Sequence, residues 1–384
     1  MRRKNHEIPV LDLLPKLSVL PLAESPNPGG LTGMDFHLPV ELEAGEPPEA
    51  HGLSRDQVKL LVSDAGTDQI HHTDFRHVTD FLDPGDLIVI NTSGTLNAAL
   101  HAVSPEGDPL ELRLSTHLAE DLWSLELRVP GPKGSDTFTG ARPGQRYPLE
   151  ANGSALLLSP YPAYHGSRRV RNPGQRLWLA KLDLPAHYLS YLSEYGFPIR
   201  YAYVKTAWPG DYYQTVYATE PGSAEMPSAG RAFSTELITC LVAKGVQIAP
   251  LILHTGVASL EDDERPYAEF YRVPEETAER INATHARGKR VIAVGTTVVR
   301  ALETVTGPKG LSHAGEGWTD LIITPQRGIF AVNGLLTGFH EPRSTHLWML
   351  AAFCGVEHLK RTYQEAIKNG YLWHEFGDLH LILK

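Results

Sequence analysis

The segment VIAVGTTVVRALE (Val291–Glu303) joins an apolar run to a helix-like pattern and carries Gly295, Thr296 and Thr297 at the junction. Free backbone N–H groups and a positive helix end at such a place can hold a carboxylate or phosphate. A glycine-containing turn with a threonine cap gives the same pattern. Arg300 and Glu303 lie one turn apart and read as a surface pair, worth about 0.2–0.5 kcal/mol. His254 and Gly256 follow the apolar run Val246–Leu253. Open α/β sheets collect ligands beyond the carboxyl ends of their strands, and a titratable ring there suits proton transfer. A core histidine bonded to backbone is the competing reading. His340 sits in FHEPRST, a loop before a long helical pattern capped by Ser344 or Thr345. In YYQTVYA, Tyr213, Gln214, Thr215 and Tyr217 offer aromatic faces and amides to a ring or a flipped base, or else form strand core. His71, His72, Asp74 and His77 resemble metal ligands only as a list, because adjacent strand residues point to opposite faces. No metal is predicted.

Composition bounds these options. A chain of 384 residues with 42% hydrophobic content can bury a large core and fits two domains better than one. The longest apolar run, Leu347–Val356, is about half of the roughly 20 residues a membrane span requires. The first residues, MRRKNHEIPV, are basic but lack a following apolar region, so a secretory signal is not predicted and a cytoplasmic location is expected. Cys240 and Cys354 are too few for a disulfide framework or thiolate zinc site and read as buried small hydrophobes. The net charge of -10 opposes a broad nucleic-acid footprint, so any nucleic-acid site must be a local patch. Arg168, Arg169, Arg171 and Arg176 form one candidate, and Arg287, Lys289 and Arg290 another; either could be a solvated charged face.

The elements that must position these residues divide the chain. Residues 1–35 read as an N-terminal extension without periodicity. Residues 36–94 and 190–384 read as an α/β domain, with a hairpin of VKLLVSD and QIHHTDF around Gly66 and then the strand LIVIN. Between them, residues 95–189 switch to two-residue alternation, as in Leu110, Leu112, Leu114 and Trp123, Leu125, Leu127, Val129. This predicts half-buried antiparallel strands closing into a small inserted β-barrel. Further on, the pattern predicts helices over 275–286 and 297–306, strands at Arg290–Val294, LIIT and IFAV, and one long helix from Ser344 or Thr345 to Lys368.

Six segments fall in a telling order: YYQTVYA, PSAGRAF (Pro227–Phe233), LHTG (Leu253–Gly256), VIAVGTTVVRALE, GFHEPRST (Gly338–Thr345) and FGD (Phe376–Asp378). With RDQVKLLV (Arg55–Val62) and PGDLIVIN (Pro84–Asn91), they resemble the S-adenosylmethionine:tRNA ribosyltransferase-isomerases over roughly Leu38 to the C-terminus. The resemblance implies an inserted barrel, S-adenosylmethionine as ribosyl donor, tRNA as partner, and conversion of 7-aminomethyl-7-deazaguanine in tRNA into epoxyqueuosine with loss of adenine and methionine. His254, Glu269 and His340 are then the expected catalytic residues. Asn91, Tyr213, Gln214, Thr215, Tyr217, Ser228, Gly230, Gly256, Gly295, Thr296, Thr297, Arg300, Ser344, Thr345 and Asp378 are expected to bind substrate.

The departures from the family pattern bear on function. Thr92, Ser93, Gly94, Thr95, Leu96, Asn97, Ala98 and Ala99 stand where the family carries two arginines. Ala232 replaces a histidine beside a new Arg231, and two histidines are gone from Glu264–Glu269, where only Glu269 remains of the polar pattern. Two alternatives therefore stand beside the expected reaction: the same donor chemistry on a non-tRNA acceptor, or a non-catalytic S-adenosylmethionine- or RNA-binding paralogue.

Overall fold

The computed structural model describes residues 34–131, 134–161, 176–257 and 267–384. In chain order, β1 (Lys59–Asp64) and β2 (Gln69–Asp74) form the expected hairpin, and a 3-10 turn over Phe75–Phe81 leads to β3 (Leu87–Asn91) and the short β4 (Ser93–Thr95). Then come β5 (Ala99–Val103), β6 (Pro109–Ala119), β7 (Leu122–Gly131), β8 (Gly134–Thr137), β9 (Arg146–Pro148), β10 (Ser154–Pro160) and β11 (Leu177–Asp183). After α1 (Tyr188–Tyr195) follow β12 (Glu220–Ser223), α2 (Thr235–Lys244), β13 (Gln247–Leu253), β14 (Glu269–Val273), α3 (Glu275–Ala286) and β15 (Val291–Val294). The last elements are α4 (Thr296–Thr304), β16 (Gly315–Thr319), β17 (Gly334–Gly338), α5 (Thr345–Cys354), α6 (Val356–Lys368) and β18 (Leu379–Leu383).

Nine strands build one sheet in the order β16-β14-β13-β3-β15-β17-β18-β1-β2. Its middle, β13, β3, β15 and β17, is parallel. Parallel strands covered on both faces need continuous apolar runs, and every residue of Leu87–Asn91 and Val291–Val294 is buried. Strands β5 to β11 form a second, antiparallel sheet in the order β5-β6-β7-β11-β10-β9, with β8 on β7. A bridge between Ala102 and Leu149 links its two edges, so the sheet nearly closes into a barrel. Trp123, Tyr147 and Leu112 fill its core. The α/β architecture with an inserted small barrel is as expected from the alternation.

Four local expectations fail for definable reasons. The charged residues between the barrel's leucines do not face water: Glu126, Arg113, Arg128 and Arg176 are buried together, and the guanidinium of Arg176 donates to Glu126 (2.9 Å). Segments LIIT and IFAV are not strands. The Glu303 carboxylate accepts from the Phe330 and Ala331 amides (2.7 Å each), replacing a ladder partner. The long terminal helix breaks into α5 and α6 at Gly355, whose φ of 76° belongs to the left-handed region. Cys240 is exposed rather than buried.

Candidate active site

Because β13, β15 and β17 run parallel, their carboxyl ends reach the same edge of the sheet. A cavity of about 340 Å³ opens there. Thr255 and Gly256 come from the end of β13, Thr297 and Arg300 from α4 after β15, and the loop Gly338–His346 from the end of β17. Three further segments complete the wall, with Tyr201 and Tyr203, Glu225 and Ser228, and His374 and Glu375. The barrel closes against it: a side chain at Gly256 would stand 2.7 Å from Ser115 Oγ, and that hydroxyl accepts from the Val257 amide (3.1 Å).

A buried ion pair, Arg300 with Glu269, forms part of the cavity wall. Arg300 is buried and its guanidinium donates to Glu269, whose other oxygen accepts from the Gly256 amide (3.1 Å). Burial pushes the Glu269 carboxyl up, and the Arg300 charge and the Gly256 amide pull it back down. Arg300 Nε and Thr297 Oγ1 are hidden from solvent and lack a hydrogen-bond partner. Buried donors left unpaired are costly, and these two lie one helical turn apart on the cavity wall.

Carboxylates line the same cavity, from Glu225, Glu341 and Glu375. Tyr201 donates to Glu225 and Tyr203 to Glu375 (2.6 Å), and the two rings stack at 5.9 Å. The His374 ring lies nearly parallel to Tyr203 at 3.9 Å. Burial raises the Glu375 carboxyl, the Tyr203 hydroxyl lowers it, and Glu341 adds like charge. Among the described residues Glu375 has no cation within ion-pair distance. Two histidines stack at the cavity mouth: His340 on His346 at 4.6 Å. Thr337 bonds His340 Nε2 (2.9 Å), and burial drives His340 well below the ordinary imidazole range. Burial also lowers His346 to about 4, with Arg300 opposing its charge. Its Nδ1 is bonded to Ser344 Oγ (3.1 Å), the side chain that caps α5.

The structure thus gathers Glu269, His340, Ser228, Gly256, Thr297, Arg300, Ser344 and Thr345 around one cavity. It places the other nominated residues elsewhere. His254 lies behind the wall, against Ser93 and Glu220. Asn91 staples β3 to β13 through the Leu253 amide and carbonyl. Gln214 clamps both backbone groups of Thr95. Tyr213 packs on Phe376, Thr215 is buried beside Tyr217 near Gly230, and Tyr217 lies in the core with Phe233. Gly295 and Thr296 start α4 without reaching the cavity. Asp378 accepts from the Lys59 and Leu372 amides (2.7 and 2.8 Å), a structural staple.

Other expectations are corrected similarly. Arg300 and Glu303 are not a surface pair, since Glu303 is buried and bonds Arg327 (2.6 Å). Arg231 is no free cation: it is buried, donates to Glu49 (2.8 Å) and lies over Phe376. Of the candidate basic patches, Arg168, Arg169 and Arg171 lie outside the described residues, Arg176 is buried, and Arg290 is paired with Asp86 (2.6 Å). Sequence reasoning missed Tyr201, Tyr203, Glu225, His346, His374 and Glu375. The only local signals were the i, i+2 tyrosines and the proximity of His374 and Glu375 to FGD.

A mixed sheet whose middle strands are parallel, with a polar cavity at their carboxyl edge and an inserted barrel packed beside it, is the architecture of an α/β enzyme. The chain belongs to the family described as queuosine biosynthesis protein, whose model matches residues 31–382. It is 36% identical over 359 residues to the S-adenosylmethionine:tRNA ribosyltransferase-isomerase of Thermotoga maritima, covering 91% of this chain and 98% of that protein. It is 38% identical to the enzyme of the same name from Thermus thermophilus, covering 92% and 99%. The crystal structure of S-adenosylmethionine tRNA ribosyltransferase from Thermotoga maritima superposes with a TM-score of 0.50 at 32% identity, covering 91% of this chain and 99% of that one.

Proposed function

We propose that this protein transfers the ribosyl part of S-adenosylmethionine to 7-aminomethyl-7-deazaguanine in tRNA and isomerises it, forming epoxyqueuosine and releasing adenine and methionine. Membership of the family supports the reaction. The observation that carries the site is one cavity lined both by Thr297 and Arg300, which hold the unpartnered buried donors Oγ1 and Nε, and by the carboxylates Glu225, Glu341 and Glu375. The donor's methionine carboxylate suits the first. Its sulfonium and the aminomethyl group of the acceptor suit the second, since Glu225, Glu341 and Glu375 stand there.

The chain's own groups then have distinct tasks. Glu375, raised by burial and held by Tyr203, takes the proton that the acceptor ammonium must lose before it attacks. His346, kept neutral, is the base for the carbon beside the sulfonium, where the positive sulfur acidifies the proton. Glu269 holds Arg300 in place. His340, His346 and His374 supply the imidazoles of the cavity. In the domain division we propose, residues 95–189 are the barrel, which packs against the cavity wall at Gly256 and Val257, residues 36–94 and 190–384 carry the chemistry, and residues 1–35 form an extension.

Among the described residues no helix is long and apolar enough to cross a membrane. A cytoplasmic enzyme meeting tRNA is the setting that fits the reaction. The test is to incubate purified protein with S-adenosylmethionine and tRNA carrying 7-aminomethyl-7-deazaguanine and to follow products by mass spectrometry. Adenine, methionine and the epoxyqueuosine mass increment are expected together. Donor breakdown without tRNA product would shift the acceptor to a small molecule, and neither would overturn the assignment.

A further inference from the structure

His254 follows β13 directly, yet its ring turns away from the cavity and packs over Gly222, where an added Cβ would stand 2.4 Å from the imidazole. Its hydrogen bonds run inward. Nδ1 is 2.8 Å from Ser93 Oγ, Ser93 Oγ is 2.6 Å from Ser223 Oγ, and Ser223 Oγ accepts from the Thr255 amide (3.1 Å). On the outer side Nε2 lies 3.7 Å from Glu220, which is itself held by Arg272.

Counting donors gives this chain one direction. The Thr255 N–H donates to Ser223; if Ser223 also accepted from Ser93, its own buried proton would find no acceptor, so the arrangement that satisfies every hydroxyl has Ser223 donating to Ser93. Ser93 must then donate to His254 Nδ1, which leaves the proton of a neutral ring on Nε2, toward Glu220. Both serines are completely or almost completely buried, so water cannot substitute for a missing partner. An acceptor at Nδ1 is therefore required, whereas a titratable group is not.

The far end of the chain is cavity wall. The Ala224 amide donates to Thr255 O (2.7 Å), and Thr255 Oγ1 donates to Glu225 O (2.7 Å). These bonds join the strip Ser223–Met226 to the strip Thr255–Gly256, and the Gly256 amide in turn holds Glu269 (3.1 Å). We propose that His254 is a positioning residue, a neutral hydrogen-bond acceptor that fixes the backbone carrying Glu225 and the Glu269-binding amide, and takes no proton from substrate. The proposal rests on the ribosyl-transfer reading for its kinetic consequence, but not for its structural one.

The experiment compares wild type, His254→Asn, His254→Leu and Gly222→Ala for turnover and for hydrogen exchange at the Thr255 and Gly256 amides. Asparagine retains an acceptor at the position of Nδ1. It is expected to stay within about threefold of wild-type kcat/KM and to keep Thr255 protected. Leucine orphans the Ser93 hydroxyl and should lose roughly tenfold or more with faster exchange, and Gly222→Ala should reproduce that loss by displacing an intact histidine. An asparagine variant as inactive as the leucine variant, with exchange unchanged, would make His254 the proton-transfer group and overturn the proposal. Unchanged exchange and turnover in the leucine variant would overturn it too. If the wild type itself fails to turn over, the ribosyl-transfer reading falls, while the exchange pattern still decides the role of His254.

Discussion

Arg300 and Glu269 reach each other from different elements, one from the second turn of α4 and the other from the first residue of β14, and both side chains are largely removed from water. Breaking one partner of such a pair strands the other charge. Arg300→Leu is expected to lower unfolding stability by on the order of 3 kcal/mol, more than Arg300→Leu combined with Glu269→Leu. Denaturant melts of both single variants and the double variant complete the cycle, and a double loss equal to the sum of the two single losses would show that the pair is not coupled.

Thr297 makes the opposite prediction for folding. Its hydroxyl is buried without a partner, so Thr297→Val should leave the melting temperature unchanged or raise it slightly. S-adenosylmethionine should then stabilise the variant less than the wild type, with an apparent affinity about tenfold weaker. Thermal melts with and without the donor check both halves.

Acid should loosen the site. Burial depresses His346 and His374 to about 4 and His380 to about 3, below the ordinary value near 6.5 of an unfolded chain. An imidazole with a lowered folded pKa contributes stability that is complete above about 6.5 and is lost as pH falls toward 4, because the unfolded chain takes up protons first. Asp378, raised to about 6 by burial, acts in the other sense: its contribution is complete below its ordinary pKa and fades as pH rises through 6. Urea midpoints should fall from pH 7 to pH 4.5, and Asp378→Asn should steepen the fall. A flat wild-type profile would contradict the buried-histidine account.

Arg343 lines the mouth of the cavity in an exposed loop with φ of 63°, a conformation that costs a non-glycine residue about 1 kcal/mol. Arg343→Gly should therefore be slightly more stable than wild type and bind tRNA less tightly. If Arg343 meets a phosphate, the slope of log KM for tRNA against log salt should fall by about 1, with the KM for S-adenosylmethionine unchanged. An unaltered salt slope would remove Arg343 from the tRNA contact.

The parts of the site that follow regular elements were legible in the sequence. Thr297 and Arg300 come after an apolar run at a strand-to-helix junction, and Ser344 caps the next helix. Tyr203, His374 and Glu375 were not, because they come from aperiodic segments far apart in sequence that only the fold brings together. His254 shows a subtler limit. Its position beyond β13 was readable, but side chains alternate along an extended chain, and one residue decides whether a ring faces the cavity or the core. Arg231 misled for a related reason: a charge looks free until its partner, here Glu49, arrives from 182 residues away.

Strand β18 lies between β17 and β1, pairing antiparallel with the first and parallel with the second. The β1–β2 hairpin touches the sheet through β18, whose partner residues lie more than three hundred positions downstream. During synthesis the hairpin therefore lacks its strand partner in the sheet until β18 leaves the ribosome, and until then only apolar packing, of Leu60 and Val62 with residues such as Ile88, Ile90 and Phe233, can hold it. The charged and histidine-rich outer strand QIHHTD gives that waiting edge a polar face, which discourages pairing with other nascent chains.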